Sequence, residues 1–201
     1  MLFRSSIKPQ HAVQRLYELT KNKDTYVTTE VGQHQMWISQ HWKFEKPNTW
    51  LNSGGLGTMG YALPAAIGAK AAYPDKLVLA LDGDGCFQMT CQELITASTE
   101  NIPLKIVVFN NGNHGMVRQW QQLFFDKRYA STEMINPDFV TIAKGYYIDS
   151  ERVKNRKDLK PAVERMIKSK KPYVLEVCVE KEDNVFPMIP SGASVSDIRL
   201  D

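Results

Sequence analysis

Two short polar clusters, Gly83-Asp84-Gly85 and Asn110-Asn111, hold the residues of this 201-residue chain best suited to chemistry. A carboxylate and an amide oxygen are hard donors. They suit Mg2+, which takes one or two carboxylates together with phosphate oxygens. Glycines on both sides of Asp84 let a phosphate come close to backbone N–H groups. Each cluster ends an apolar run: Leu77 to Leu81 stops at Asp82, and Ile106 to Phe109 stops at Asn110. Such short runs read as strands buried on both faces. Between them, Thr90 with Glu93 predicts a capping box that opens a helix, whose apolar face continues through Leu94, Ile95 and Ala97. Strand, helix and strand of these lengths form a right-handed βαβ unit. Both polar turns then lie at the carboxyl edge of the sheet, where open α/β sheets bind ligands. The residues alone therefore predict a magnesium-diphosphate site.

The rest of the chain supplies the frame. His11 to Lys21 has helical spacing, and Tyr26 to Thr29 reads as a first strand that delivers Glu30 to Trp37 at its carboxyl end. Asn48 to Leu51 reads as a short strand leading into a glycine loop, and Leu63 to Tyr73 as a small-residue helix with Pro64 in its first turn. Met116 to Phe125 and Pro137 to Lys144 read as helices, the second closed by Gly145 at C′. Tyr146 to Ile148 is expected as a short strand, Asp158 to Lys168 as a helix, and Tyr173 to Val179 as the final strand. The alternation predicts a doubly wound, mostly parallel α/β sheet with helices on both faces. One domain is expected over residues 1–185. The tail 186–201, with Pro187, Pro190 and Gly192, is expected to be irregular, either folding over a site or fraying.

Gly55-Leu56-Gly57-Thr58-Met59-Gly60 fits the dinucleotide G-x-G-x-x-G pattern, but that fingerprint needs a firm apolar strand before it. Pro47 to Ser53 makes a poor strand, so the pattern is set aside. Hydrophobic content of 43% and charged content of 23% are ordinary for a soluble globular chain. A net charge of +3 is too mild for a nucleic-acid footprint. The basic residues between Arg152 and Lys171 are interleaved with acids and read as a solvated helix face. Cys86, Cys91 and Cys178 have no paired spacing, against a disulfide framework or zinc site, and Cys178 reads as a core thiol. Met1 to Ser6 is followed by no apolar segment of the secretory kind. No apolar run approaches the roughly 20 residues of a spanning helix. Neither membrane nor nucleic acid is expected as a partner, and the expected compartment is the cytoplasm.

Gly83-Asp84-Gly85, then Cys86 through Phe109, then Asn110-Asn111 resembles the thiamine-diphosphate signature. With Val31 to Trp37, Ser53 to Tyr61 and Gly115 to Gln121 agreeing in order and spacing, the chain from Ile7 onward resembles the catalytic subunit of the acetohydroxyacid synthase (acetolactate synthase) family, bacterial type. The resemblance implies the diphosphate-binding domain of a thiamine-diphosphate enzyme. It implies Mg2+ held by Asp84, by the Asn111 side chain and by the Asn113 main-chain carbonyl. Gly83, Gly85 and Cys86 would line the diphosphate, with Cys86 standing where many relatives carry a hydroxyl. Gln33, His34, His114, Gly115 and Met116 would also line the cofactor site. The Gly57 carbonyl would accept the cofactor's 4′-amino group, and Met59 would wedge under its bent rings. Met116, Val117 and Trp120 would shape the substrate pocket, the tryptophan favouring the larger of two 2-ketoacids by about 1–3 kcal/mol per methylene.

The implied reaction is decarboxylation of pyruvate and condensation with a second 2-ketoacid, a transferase step of branched-chain amino-acid biosynthesis. Members of the family also carry an N-terminal pyrimidine-binding domain, which supplies the activating glutamate, and a middle domain that holds FAD. Neither is matched here, and Glu30 lies in a different block, so no catalytic acid is assigned. The chain is expected to be a fragment, a split subunit or a truncated product, and an orphan module that binds without turnover is the alternative. The resemblance further implies a homodimer or pairing with an N-terminal polypeptide, a regulatory small subunit, and self-association through exposed interface surface.

Overall fold

The computed structural model describes residues 5–200. The amino-terminal hexapeptide therefore falls largely outside the described residues. Six strands form one sheet: β1 (Thr25–Thr29), β2 (Trp50–Asn52), β3 (Leu77–Gly83), β4 (Lys105–Asn110), β5 (Asp149–Val153) and β6 (Tyr173–Cys178). They lie in the order β2-β1-β3-β4-β6-β5, and every pair is parallel. Among the described residues, eight helices pack around it: α1 (Pro9–Thr20), α2 (Gln33–His41), α3 (Ala62–Ala72), α4 (Asp84–Thr90), α5 (Leu94–Thr99), α6 (Gly115–Phe124), α7 (Phe139–Gly145) and α8 (Arg156–Lys168). This is the doubly wound sheet that the alternation of runs predicts.

The central strands are largely apolar because both of their faces are covered. Leu79 and Leu81 of β3, Val107 and Phe109 of β4, and Leu175 and Val177 of β6 enter one core with α1, α2 and α8. Val78, Ala80, Ile106, Val108 and Val174 point the other way, into a second core with α3, α4, α5 and α7. The helices meet these cores with matching stripes. On α8, Leu159, Ala162, Val163 and Met166 are buried, at i, i+3, i+4 and i+7, leaving its lysines on the solvated face. After β1 the chain moves outward to β2 and then returns to the other side of β1 as β3, so winding reverses between β1 and β3. Open α/β sheets bind ligands at the carboxyl end of such a point.

Several local expectations are corrected. No capping box forms at Thr90. Asp84 itself opens α4, a short 3-10 turn at Cys91–Glu93 joins it to α5, and the Thr90 hydroxyl donates instead to the Gly60 carbonyl at 2.9 Å. The long-range partner wins over the local one because α4 must start at the end of β3. Tyr146 to Ile148 is not a strand. Tyr147, with φ of 62°, turns the chain into β5 three residues later than the aromatic run suggests, and Gly145 stays within α7. The tail does not fray. Met188 pairs with Arg199, a 3-10 turn at Val195–Asp197 is capped by Ser194, and the Arg199 guanidinium sits 4.8 Å from the centre of the Phe124 ring on α6. Among the described residues, no helix is long and apolar enough to cross a membrane.

Candidate functional site

Three loops meet at the carboxyl edge around the switch point. The β1–α2 loop brings Val31, Gly32, Gln33 and His34; the β3–α4 junction brings Gly83 to Cys86; the β4–α6 loop brings Asn111, Asn113 and His114, with Gly115, Met116 and Val117 of α6. Together with Met59 and Trp37 they line a single cleft of about 190 Å³. Gly57 and Trp120 stand outside it. Gly57 lies behind the wall, where an added Cβ would sit 3.6 Å from Val31, and the Trp120 ring packs on Phe124 with centroids 4.9 Å apart. Val117 is half exposed at the mouth.

Asp84 is buried at the first turn of α4. Its Oδ1 accepts the Gly85 N–H at 3.0 Å, and its Oδ2 accepts the Gly112 N–H at 2.8 Å, which ties the β3 end to the β4 loop. Burial raises its carboxyl above the ordinary range, against these hydrogen bonds and one from Asn136. A cation would reverse that balance. Asn111 Oδ1 caps its own loop by accepting the Asn113 N–H at 3.0 Å. The cradle is tight: a Cβ at position 83 would meet the His34 ring at 2.9 Å, and one at position 85 the His114 ring at 3.1 Å. A side chain at either position would have to displace one of these rings. The N-termini of α2, α4 and α6 all open at this edge, with the positive ends of their dipoles toward the cleft.

Beneath the cleft lies a buried acid pair that sequence reasoning missed. Glu30 is fully buried; it accepts the Ala62 N–H at 2.9 Å and the Gly83 N–H at 3.3 Å, and pairs with His34 Nε2 at 3.0 Å. Burial works against its charge, but His34, Asp82 and the Ala62 N–H outweigh it and hold the carboxyl below the ordinary range. Asp82, also fully buried, has no N–H or neutral O–H donor on either oxygen. The Glu30 carboxyl lies against it, and a hydrogen bond between two carboxyl groups requires a proton between them. Burial and then the Glu30 charge push Asp82 well above the usual carboxylate range. Burial, then Glu30 and Asp82, likewise push the Cys86 thiol up, and its Sγ donates to the Val31 carbonyl at 3.3 Å. Glu30, His34 and Cys86 place one ligand atom each within 4.8 Å of one another, but all three are already hydrogen-bonded, and a thiol with an imidazole suits softer ions than Mg2+.

Gln33 crosses to α6 and the tail, donating to Gln119 Oε1 at 2.8 Å and the Asp183 carbonyl at 3.2 Å. Spacing could not reveal the Glu30–Asp82 contact or the contribution of Asn136, because each joins loops far apart in sequence. The only available signal was an acid at the end of an apolar run.

A family model for the C-terminal TPP binding domain of thiamine pyrophosphate enzymes matches residues 30–177. The chain is 49% identical over 199 residues to an acetolactate synthase large subunit of Corynebacterium glutamicum, covering 96% of this chain and 32% of that protein. It is 48% identical over 193 residues to a mitochondrial acetolactate synthase catalytic subunit of Aspergillus candidus, covering 95% and 28%. It is 44% identical over 195 residues to the corresponding Saccharomyces cerevisiae protein, covering 96% and 28%. The chain thus spans about a third of the length of these curated relatives, or somewhat less.

Proposed function

Because this chain belongs to the C-terminal TPP binding domain family of thiamine pyrophosphate enzymes, we propose that its cleft holds thiamine diphosphate through Mg2+, as the diphosphate-binding part of an acetolactate synthase catalytic subunit. The observation that carries this reading is the buried Asp84 carboxylate, set between two glycines packed close against the His34 and His114 rings and tied to the Asn111–Asn113 loop. The donor set fits: one carboxylate, an amide oxygen and a main-chain carbonyl are hard ligands, and Mg2+ fills its remaining positions with phosphate oxygens and water. Asp84, Asn111 and Asn113 would hold the metal. The Cys86 N–H, at the positive end of α4, would face the diphosphate, the Gly85 N–H being held by Asp84 Oδ1, with Gly83, Gly85, His34, Gln33, His114 and Gly115 around it. Gly57 and Met59 would support the thiamine rings, and Met116, Val117 and Trp120 the substrate side. Trp120 stands one turn beyond Met116 on α6, outside the cleft and against Phe124, so its part would be played on a surface that another domain or copy completes.

When bound, thiamine diphosphate supplies the carbon nucleophile that decarboxylates a 2-ketoacid. The residues of this chain bind and orient it, and the low-dielectric floor of Phe109 and Trp37 excludes water below it. Pyruvate would be the donor, with a second pyruvate or 2-ketobutyrate as acceptor. A cleft of about 190 Å³ is smaller than the roughly 300–1,000 Å³ of whole ligand sites. That supports a half-site, completed by a pyrimidine-binding domain that carries the activating glutamate and accompanied by an FAD-holding domain. It also favours pairing in a homodimer or with an N-terminal polypeptide, and leaves room for a regulatory small subunit. The second reading, an orphan module that binds without turnover, has the same cleft in its favour. We place the protein in the cytoplasm, following its resemblance to the bacterial type, although the fungal relatives are named mitochondrial.

The test is titration of the chain with thiamine diphosphate with and without Mg2+, read by the fluorescence of Trp37 in the cleft wall. Saturable, Mg2+-dependent binding is expected, and it should be lost in Asp84→Ala, which removes the only carboxylate of the proposed ligand set. Binding that ignores both Mg2+ and the substitution would overturn the assignment.

A further inference from the structure

Asp84 is held from a direction that the thiamine-diphosphate signature does not include. Asn136 precedes α7 in the loop after α6, far from both polar clusters in sequence. Its amide nitrogen donates to Asp84 Oδ2 at 2.8 Å and to Asn110 Oδ1 at 2.9 Å, and its own oxygen accepts from Gln88 Nε2 at 3.0 Å. These partners fix the amide's orientation: both of its hydrogens are used, and the oxygen faces a donor. Asn110 is anchored in turn. Its Nδ2 donates to Glu176 Oε1 at 2.8 Å, and Glu176, buried in β6, takes Arg152 Nε on its other oxygen at 2.6 Å. Arg152 also reaches Asp138 Oδ1 at 3.1 Å, the residue whose side chain caps α7. The buried stretch of this chain is electroneutral, since Arg152 balances Glu176 and both asparagines are neutral. It therefore orders Asp84 without discharging it.

The two oxygens of Asp84 are consequently unequal. Oδ2 accepts two donors, from Gly112 and Asn136, whereas Oδ1 accepts only the Gly85 N–H. An oxygen with both in-plane lone pairs engaged has little to offer a cation. From this asymmetry we propose that Asn136, braced by Asn110, Glu176 and Arg152, is a positioning residue that makes Asp84 a one-oxygen ligand through Oδ1 and so biases the site toward small octahedral cations over larger ones. Mg2+ takes single carboxylate oxygens in near-octahedral geometry, whereas Ca2+ accepts bidentate carboxylates and higher coordination numbers. Freeing Oδ2 removes that bias. Neighbours that orient a metal ligand typically contribute 10- to 100-fold in affinity.

The inference rests on the proposed Mg2+-diphosphate site, and the experiment separates the two. The full chain and its Asn136→Ala and Asn136→Ser variants are titrated with thiamine diphosphate in Mg2+ and, separately, in Ca2+, with thermal melts recorded on each protein. The expected result is a fall in Mg2+-supported affinity of roughly 10- to 100-fold and a smaller fall with Ca2+, so the Mg2+/Ca2+ affinity ratio drops. Asn136→Ser, which keeps a small donor, should lie between wild type and Asn136→Ala. Equal losses with both ions, tracking the melting temperature, would mean a merely structural residue and overturn the inference while leaving the cofactor site standing. A wild-type chain with no cation-dependent binding would overturn the reading of the site and this inference with it.

Discussion

Glu30 and Asp82 put two carboxyl groups side by side in the interior with one histidine to balance them, and that imbalance has a measurable signature. Asp82 is raised by burial and by the Glu30 charge, so the folded chain keeps a proton there that the unfolded chain releases above about pH 4. The stability this group contributes is complete below the unfolded value and is lost as pH climbs toward the raised folded one. Asp82→Asn removes the need for the proton and gives Glu30 an N–H donor. We expect the variant to gain about 1–3 kcal/mol at pH 8, the usual relief for a buried polar group that finds a partner, and progressively less as pH falls to 5. Calorimetric melts across that range check it, and a shift independent of pH would show that no shared proton exists. The acid pair is a feature no motif announces. Asp84 and Asn111 could be recognised from type and spacing, because glycines and apolar runs punctuate them in sequence. Glu30, Asp82, Asn110 and Asn136 gain their meaning only when loops separated by tens of residues come together.

At the scale of elements, the site depends on where α4 begins. Asp84 is its first residue, and three residues on Phe87 is fully buried in the second core, its ring edge-on to Phe139 of α7 at 5.6 Å and 82°. One side chain thus seats the helix that aims the carboxylate and also fixes α7, whose preceding loop carries Asn136. Phe87→Ala should cost roughly 3–5 kcal/mol, and Phe87→Leu under about 1.5 kcal/mol. Cation-supported cofactor binding is expected to weaken in the same order; denaturant titration paired with binding measures both, and a large stability loss with untouched binding would disprove the coupling. The strands were legible because central parallel strands are apolar on both faces and have no alternative reading. Boundaries were less so. Thr90 and Glu93 have capping-box chemistry, but the Thr90 hydroxyl serves the Gly60 carbonyl, and a tertiary contact decided between two satisfactory local solutions. Around Tyr146 and Tyr147, aromatic residues suggest a strand, yet the turn into β5 uses Tyr147 in the left-handed region, which no propensity scale favours.

Over the whole molecule, apolar side chains surround the binding edge instead of retreating from it. Leu56 and Ile135 are entirely exposed, and Met89 and Val117 about half so. Leu56 lies in the loop after β2, Val117 at the cleft mouth, and Ile135 next to Asn136, so the edge proposed to meet the cofactor also carries exposed apolar surface. Sedimentation at rising concentration should show self-association that Leu56→Ser and Ile135→Ser together reduce; a monomer throughout would count against a partner-completed site. The all-parallel sheet carries one more consequence, for how the chain reaches this state. Parallel neighbours cannot be joined by a hairpin, and the central pairs bring together residues as distant as Leu81 with Thr29 and Val107 with Leu175. No strand can pair before a long stretch of chain has been closed into a loop, at an entropic cost that precedes any contact it gains. This sequence therefore belongs with slow folders. The three cofactor loops, which need β1, β3 and β4 already in register, take shape only at the end, so a bound cofactor would act as a brake on unfolding and do nothing to hasten the climb.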